Sequence, residues 1–155
     1  MLHRALEQFL SDVHWGELDY LVVDMPPGTG DVSISLGQLL PRAEAVIVTT
    51  PQPLAQEVAV RAAIMAQKTN MRLIGVVENM TSDVFGSGGG ERLAEQLGVP
   101  LLGQVPLDAR LRECGDAGEP LVAAEPDSET AQAIGEIADA IEASRRTFKP
   151  LPVLS

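Results

Sequence analysis

Cysteine and long apolar runs are scarce in this chain of 155 residues, and each scarcity excludes a class of protein. The single cysteine, Cys114, rules out an internal disulfide and agrees with a reducing compartment. No apolar run approaches the length of a membrane span, and no basic segment followed by an apolar one resembles a signal peptide. We therefore expect a cytoplasmic protein without a membrane segment.

Positive charge is also scarce, because 22 acidic side chains face 11 basic ones and the formal net charge is −11. Nucleic acids and anionic membranes are themselves polyanions, so neither is expected as a general partner. His3 and His14 have no neighbours at metal-ligand spacing and are expected at the surface or at helix ends. The apolar content of 45% is enough for the core of one domain.

The most informative stretch is Leu18–Asp31, which reads L-D-Y-L-V-V-D-M-P-P-G-T-G-D. Tyr20–Val23 is an apolar, β-branched run that predicts a buried strand. Asp24 would lie at the carboxyl end of this strand, where open α/β sheets bind their ligands. Proline and glycine then end the ladder, and Asp31 is predicted to cap the helix that follows.

Three interpretations of this stretch were compared. It is an ordinary strand–turn–helix corner, or Asp24 is a Walker-B carboxylate that holds a water of nucleotide-bound Mg²⁺ before a loop that senses the γ-phosphate. A dinucleotide loop is rejected, because Ser33 occupies the third glycine position and Asp24 would repel a pyrophosphate. The residues alone leave the first two open.

Helices and strands are predicted to alternate along the chain, as in an α/β fold with a mainly parallel sheet and flanking helices. The further predicted strands are Ala45–Val48, Leu73–Val77 and Leu101–Val105. The predicted helices are Met1–Val13, Val32–Leu40, Leu54–Asn70, Glu91–Leu97 and a last helix beginning at Asp127 or Ser128. A stripe in the third of these helices is expected to face the core: Leu54, Val58, Ala62 and Met65.

Five blocks of sequence carry a family resemblance. They are V-V-D-M-P-P-G-T-G-D-V, V-I-V-T-T-P-Q, G-V-V-E-N-M, F-G-S-G-G-G and V-P-L-D, and R-E-C-G-D-A-G-E-P extends the last. In this order and rough spacing they resemble the Mrp/Nbp35-type ATPases, which are iron–sulfur cluster carriers of the deviant-Walker P-loop group. The resemblance covers nearly the whole chain and implies a P-loop NTPase-like fold.

The resemblance also implies cofactors and partners. The intact protein would bind and hydrolyse ATP with Mg²⁺, and it would serve iron–sulfur client proteins as a homodimer. Asp24 would orient a water of the Mg²⁺, while Gly28 and Gly30 would sense the γ-phosphate. These three residues are the predicted catalytic group.

The base-side residues follow from the same resemblance. Asn79 would recognise adenine, because an amide offers the donor and the acceptor that match the N6–H₂ and N7 of the base. The Pro106–Asp108 segment would lie against the adenine, so Pro106 and Asp108 join Asn79 as predicted cofactor-binding residues. From the residues alone, an asparagine at a strand end is more often a turn residue.

Two motifs of the family are absent from the sequence. The cluster carriers have a Cys-x-x-Cys pair after the E-N-M block, where this chain has Thr81–Val84, and thiolates are the usual ligands of such clusters. Cys114 alone cannot complete a four-thiolate site in a dimer and is expected to be a buried thiol. There is also no G-x-x-x-x-G-K-[S/T] loop; Gly86–Gly90 lacks a lysine and is predicted to be a loop before a helix.

We therefore interpret residues 1–149 as the C-terminal part of a P-loop ATPase domain, inactive by itself, with a flexible tail at 150–155 and Met1 as an internal methionine. A positioning or partitioning ATPase and a non-catalytic truncated paralogue are the alternatives. In the P-loop fold a further strand separates Tyr20–Asp24 from Val46–Val48. These two segments should therefore face each other across a gap, unless they pair directly.

Overall fold

A computed structural model describes residues 2–26, 30–40 and 42–144, and of Leu2 the backbone only. Three strands run through this part of the chain: β1 (Glu44–Thr49), β2 (Arg72–Thr81) and β3 (Leu101–Pro106). The helices are α1 (Leu2–Ser11), α2 (Asp31–Leu39), α3 (Pro53–Lys68), α4 (Gly89–Leu97), α5 (Ala109–Ala117), α6 (Leu121–Ala124) and α7 (Glu129–Ala143). None of the helices among these residues is both long and apolar enough to cross a membrane.

The strands form one parallel sheet in the order β1-β2-β3, so β2 is central. Neighbouring residues of β2 point to opposite faces, and each face carries its own core. Val76 packs with buried residues of β1, α3 and α4, whereas Val77 packs with Val105 and Ile137 of β3 and α7. Helices therefore cover the sheet on both sides, which confirms the predicted α/β class with a parallel sheet.

The helix ends follow local chemistry where the sequence offers it. Ser128 is the N-cap of α7 and its hydroxyl accepts a hydrogen bond from the backbone N–H of Ala131 at 3.3 Å, as predicted. The opposite end of α7 is tied to the sheet by Arg72, which donates to the carbonyl of Ser144 at 2.6 Å and pairs with Glu44. Ser128 therefore caps the start of the helix locally, whereas Arg72 fixes its other end to the sheet.

The prediction of a buried strand at Tyr20–Val23 is wrong. This segment forms neither helix nor strand, and its side chains are exposed, with Val22 89% exposed. A strand needs a neighbour for its hydrogen bonds, and among the described residues β1 pairs with β2 alone. Tyr20–Asp24 and Val46–Val48 are accordingly not paired directly, which is the outcome expected if a strand were to lie between them.

Two local predictions are also corrected. Asp31 is the first residue of α2 rather than its cap, because Gly30 occupies the N-cap position and brings no capping side chain. In α3 the predicted stripe faces outward at its start, where Leu54 is 73% exposed, although Met65 is buried as expected. The buried face consists of small residues that let the helix lie close to the sheet and to α4: Ala59, Ala63 and Ala66.

Among the described helices and strands, α1 meets the rest of the domain mainly through α2. Helix α1 contacts α2, and α2 contacts α3. The contact is close, because a Cβ placed on Gly37 would lie 2.5 Å from Cβ of Thr69. No larger side chain fits at position 37 without moving α2 away from the end of α3.

The open edge of β1 and the exposed Tyr20–Val23 segment should make residues 1–155 associate at high concentration. Unpaired strand groups and exposed apolar side chains both recruit further chains. Val48→Lys and Val22→Lys should each reduce this association, as followed by sedimentation velocity over a concentration series. Gln67→Lys is the matched control, because it adds the same charge at an exposed polar residue of α3 and removes no apolar side chain, so it should change association less. An unmodified chain that stays monomeric throughout would contradict the prediction.

Candidate functional site

The carboxyl ends of the three parallel strands lie at one edge of the sheet and bring several polar residues together. Thr49 of β1 is in register with Glu78 of β2, and Asn79 is in register with Val105 of β3. Open α/β sheets bind ligands at this edge. The structure thus places Asn79 and Pro106, both predicted from the sequence, at the ends of adjacent strands.

The predicted catalytic residues lie before and at the start of α2. Asp24 is exposed in the irregular segment that follows α1, and Gly30 is the N-cap of α2. Gly28 lies outside the described residues. Gly30 has no side chain, so the first backbone N–H groups of α2 receive no acceptor from their own N-cap residue, and helix N-termini of this kind can bind anions.

Asn79 has an amide that is only partly engaged. Its Oδ1 accepts a hydrogen bond from the backbone N–H of Met80 at 2.8 Å, and the side chain is partly exposed. An amide oxygen has a second lone pair, and the amide nitrogen has no hydrogen-bond partner among the described residues. Met80 adopts φ = 62°, a left-handed conformation that is uncommon for a residue other than glycine.

Asp108 caps a helix. One carboxylate oxygen accepts from the backbone N–H of Arg110 at 2.7 Å and the other from the hydroxyl of Thr130 at 2.7 Å. The Thr130 hydrogen bond and then that of Arg110 hold the pKa of Asp108 below its ordinary value. The carboxylate therefore links α5 to α7, and a contact with a base would use its remaining lone pairs.

The central polar group of this edge is Glu78, for which the sequence alone predicted no role. Its side chain is completely buried. The backbone N–H of Gly90 donates to Oε1 at 2.9 Å, and the N–H of Gly88 and the side-chain amide of Gln104 donate to Oε2 at 3.0 and 2.5 Å. Glu78 thus supplies the acceptors that the N-terminus of α4 lacks from its own N-cap, Gly88.

Burial and hydrogen bonding act on the Glu78 pKa in opposite directions. Burial is the largest single influence and raises the pKa, but the hydrogen bonds from Gly90, Gln104 and Gly88 together outweigh it. The pKa lies below its ordinary value, so the folded protein favours the carboxylate. The partial positive charge at the helix N-terminus acts in the same direction.

The glycine-rich loop Gly86–Gly90 and the side chain of Thr49 are engaged in hydrogen bonds within the protein. The N–H groups of Gly88 and Gly90 are already bonded to Glu78, in agreement with the prediction that this loop is not a phosphate loop. Thr49 is buried and its hydroxyl donates to the carbonyl of Thr50 at 3.2 Å. The signals that could have revealed Glu78 were an acid inside an apolar strand and a helix without a polar N-cap residue.

Cys114 is a buried free thiol on α5, as expected, and it packs with Leu121 and Ala131. Among residues 2–26, 30–40 and 42–144, no group of three or more histidine, cysteine, aspartate or glutamate side chains could hold a metal ion. The described part of the chain therefore offers no set of ligands for an iron–sulfur cluster.

Comparison with solved structures defines the class of protein. The cell division ATPase MinD of Pyrococcus furiosus superposes with a TM-score of 0.72 over 92% of this chain and 57% of its own, at 26% identity. A nucleotide-binding protein of Archaeoglobus fulgidus, solved in complex with ADP, is 36% identical over 76% of this chain and 52% of its own, with a TM-score of 0.66. The fold is that of a P-loop NTPase.

The family follows from the sequence comparison. A family model described as a ParA-type NUBPL iron-transfer P-loop NTPase matches residues 1–142, and the chain belongs to this family. The iron–sulfur cluster carrier protein of Mycobacterium tuberculosis is 53% identical over 94% of this chain. The match spans 42% of the length of that relative, so the chain is about half as long as the proteins it resembles. The resemblance stated from the five blocks is confirmed.

Replacing Glu78 by glutamine should make the free energy of unfolding depend less on pH at acidic pH. Because the folded pKa is depressed, the carboxylate contributes stability above its unfolded pKa, and this is lost as the pH falls through the folded pKa. Glu78→Gln should lower the free energy of unfolding at neutral pH by roughly 1.5–3 kcal/mol, the worth of hydrogen bonds to a charged group. The difference from the unmodified chain should shrink below about pH 4, where the unfolded carboxylate is protonated.

Urea titrations at a series of pH values measure this effect. Glu91→Gln is the control, because Glu91 is an exposed carboxylate in the first turn of the same helix. Its replacement should change the stability by no more than about 0.5 kcal/mol. A Glu78→Gln chain as stable as the Glu91→Gln chain at neutral pH would contradict the expectation.

Proposed function

We propose that these 155 residues supply the base-side part of an ATP site in an iron–sulfur cluster carrier, as the C-terminal part of a P-loop ATPase domain. The observation that carries the proposal is that Asn79 and Pro106 lie at the carboxyl ends of adjacent parallel strands, in a chain of the NUBPL family. The residues present fit a base, because Asn79 offers an unengaged amide N–H₂ and one lone pair.

On the base side, Asn79 would exchange hydrogen bonds with the adenine edge. Pro106 would pack against the ring, and Asp108 would hold the start of α5 beside it through its bonds to Arg110 and Thr130. The role of Asp108 toward the nucleotide is therefore to position Pro106 and the segment between them.

On the phosphate side, Asp24 would orient a water molecule of the Mg²⁺, and the bound ion would neutralise phosphate charge. Gly28 and Gly30 would respond to the γ-phosphate, and Gly30 is the N-cap of α2. The sequence contains no G-x-x-x-x-G-K-[S/T] loop, so these 155 residues do not supply the main phosphate cradle. ATP hydrolysis is accordingly proposed for the intact protein only.

The iron–sulfur cluster would be cargo and not a resident cofactor of these residues. One buried thiol does not fit a cluster that needs several thiolates. We therefore propose that the cluster ligands lie outside these 155 residues. The client proteins, the homodimer and the cytoplasmic location belong to the same proposal for the intact protein.

The carrier function is favoured over the positioning and partitioning class by a specific observation. The chain is 53% identical to an iron–sulfur cluster carrier and 26% identical to the superposed MinD. The likeness to MinD supports the fold. The higher identity to the iron–sulfur cluster carrier supports a carrier function for the intact protein. Growth of a carrier-deficient host, rescued by the intact protein and measured by activity of iron–sulfur enzymes, would test this choice.

Residues 1–155 by themselves should bind Mg·ATP no more tightly than about 1 mM, because the phosphates supply much of the affinity and their cradle is missing. Fusion to the part of the Mycobacterium relative that this chain does not span should give a dissociation constant in roughly the micromolar range, measured by calorimetry. Micromolar binding by residues 1–155 alone would contradict the proposal.

Within the fused protein, Asn79→Ala should weaken ATP binding roughly tenfold, the loss of about one hydrogen bond, while GTP binding changes little. Gln67→Ala is a matched control, because it removes an exposed amide from α3. Equal effects of the two substitutions on ATP would remove Asn79 from the base site.

Reconstitution of residues 1–155 with iron and sulfide should leave no stoichiometric cluster, since Cys114 is the only cysteine and is buried. Visible absorption and iron analysis after gel filtration give the measurement, with Cys114→Ser as the matched variant. A stable charge-transfer band that disappears in Cys114→Ser would show that Cys114 is a ligand.

A further inference from the structure

One buried carboxylate has no role in the proposed chemistry. Glu78 is the only charged side chain among the buried residues of the described chain, and it is fully enclosed. Burying a carboxylate is costly unless several donors surround it, and here three donors do. The donors come from two separate places, the turn at the N-terminus of α4 and the strand β3.

We propose that Glu78 is a positioning residue for the base site: its carboxylate fastens the Gly88–Gly90 turn to β2 and β3 and thereby fixes Asn79 and the segment after Pro106. The proposal deepens the proposed function and rests on it. Glu78 is not proposed to touch the nucleotide.

The Gly88–Gly90 turn lies against β2 and the segment after β1, and it is joined to β3 through a shared acceptor. A Cβ placed on Gly90 would lie 2.6 Å from Cβ of Glu78 on β2, and one placed on Gly89 would lie 2.7 Å from the carbonyl oxygen of Pro51, just after β1. Gln104 of β3 shares Oε2 of Glu78 with the N–H of Gly88. Positions 89 and 90 thus have no room for a side chain, and the Glu78 carboxylate is the anchor that joins this turn to β2 and β3.

The anchor bears directly on Asn79, the next residue of β2. Beyond Asn79 the strand departs from regular geometry, with Met80 at φ = 62°. It returns to β3 through Thr81, whose carbonyl accepts from the N–H of Leu107 at 2.9 Å and whose hydroxyl donates to the carbonyl of Val105 at 3.3 Å. Asn79 is therefore held between the Glu78 anchor on one side and the Thr81 bonds on the other.

Glutamine at position 78 tests the anchor with little change of shape. A carboxylate can accept from both turn N–H groups and from Gln104, whereas a glutamine has one acceptor oxygen and an N–H₂ that faces other donors. At least one of the Gly88 and Gly90 N–H groups would lose its acceptor. The turn and the end of β2 should then move apart, and Asn79 should lose its fixed orientation.

The competing explanation is that Glu78 only caps α4. In that case Glu78→Gln would disturb Gly88–Gly90 and lower stability without affecting Asn79, Met80 or Leu107. The two explanations differ in how far the perturbation extends, which amide NMR spectra of residues 1–155 resolve directly. They also differ in base selectivity, which a lower stability does not by itself change.

The experiment records ¹H–¹⁵N spectra of the unmodified, Glu78→Gln and Glu91→Gln chains, and measures ATP and GTP binding by the fused protein with the same substitutions. We expect the Asn79 side-chain amide and the Met80 and Leu107 signals to shift or broaden in Glu78→Gln only. The preference for ATP over GTP should fall roughly tenfold, because misplaced amide contacts cost about one hydrogen bond. Shifts confined to Gly88–Gly90, or an unchanged preference, would overturn the proposal.

Gln104→Ala keeps the test decisive if Glu78→Gln does not fold. Gln104 is exposed and donates only one of the three hydrogen bonds, so its removal should leave the fold intact. It should move the Asn79 and Leu107 signals in the same direction by a smaller amount, and no movement would overturn the proposal. If the unmodified fused protein binds no ATP, the proposed function fails; if it binds ATP and Glu78→Gln keeps its selectivity, the positioning role alone fails.

Discussion

The parallel pairing of β2 with both β1 and β3 is the constraint on which the rest of the molecule depends. Parallel strands are connected by crossing helices, so the connections α3 and α4 come to lie on one face of the sheet while α7 covers the other. The same pairing brings every strand's carboxyl end to one edge. Pro106 lies beside the Glu78–Asn79 part of β2 for this reason, although it is remote from both residues in the sequence.

The features that could be predicted from the sequence are those decided within one element. Ser128 caps α7 through a bond to a residue three positions away, and the strands β1, β2 and β3 follow from compact apolar runs. The five sequence blocks identified the family because their residues, order and spacing can be compared without knowing the fold. The base-site residues Asn79 and Pro106 came from that family resemblance, since an asparagine or proline at a strand end has no distinctive pattern.

The features that could not be predicted depend on partners elsewhere in the chain. Tyr20–Val23 has strand composition, but a strand also needs a neighbour on its edge. The apolar stripe beginning at Leu54 has the right period, yet the alanine face of α3 lies closer to the sheet. Glu78 finds its donors 10, 12 and 26 residues further along the chain, so no local pattern specifies its role.

The restricted contact between α2 and α3 has a consequence for cooperativity. Residues 42–144 carry the three strands and the buried clusters around them, whereas α1 contacts α2, and α2 meets α3 at the close Gly37–Thr69 contact. Stability in proteins is distributed in units that open separately when few buried contacts join them. Helices α1 and α2 are thus suited to open together as one cooperative unit while the strand-bearing unit remains folded.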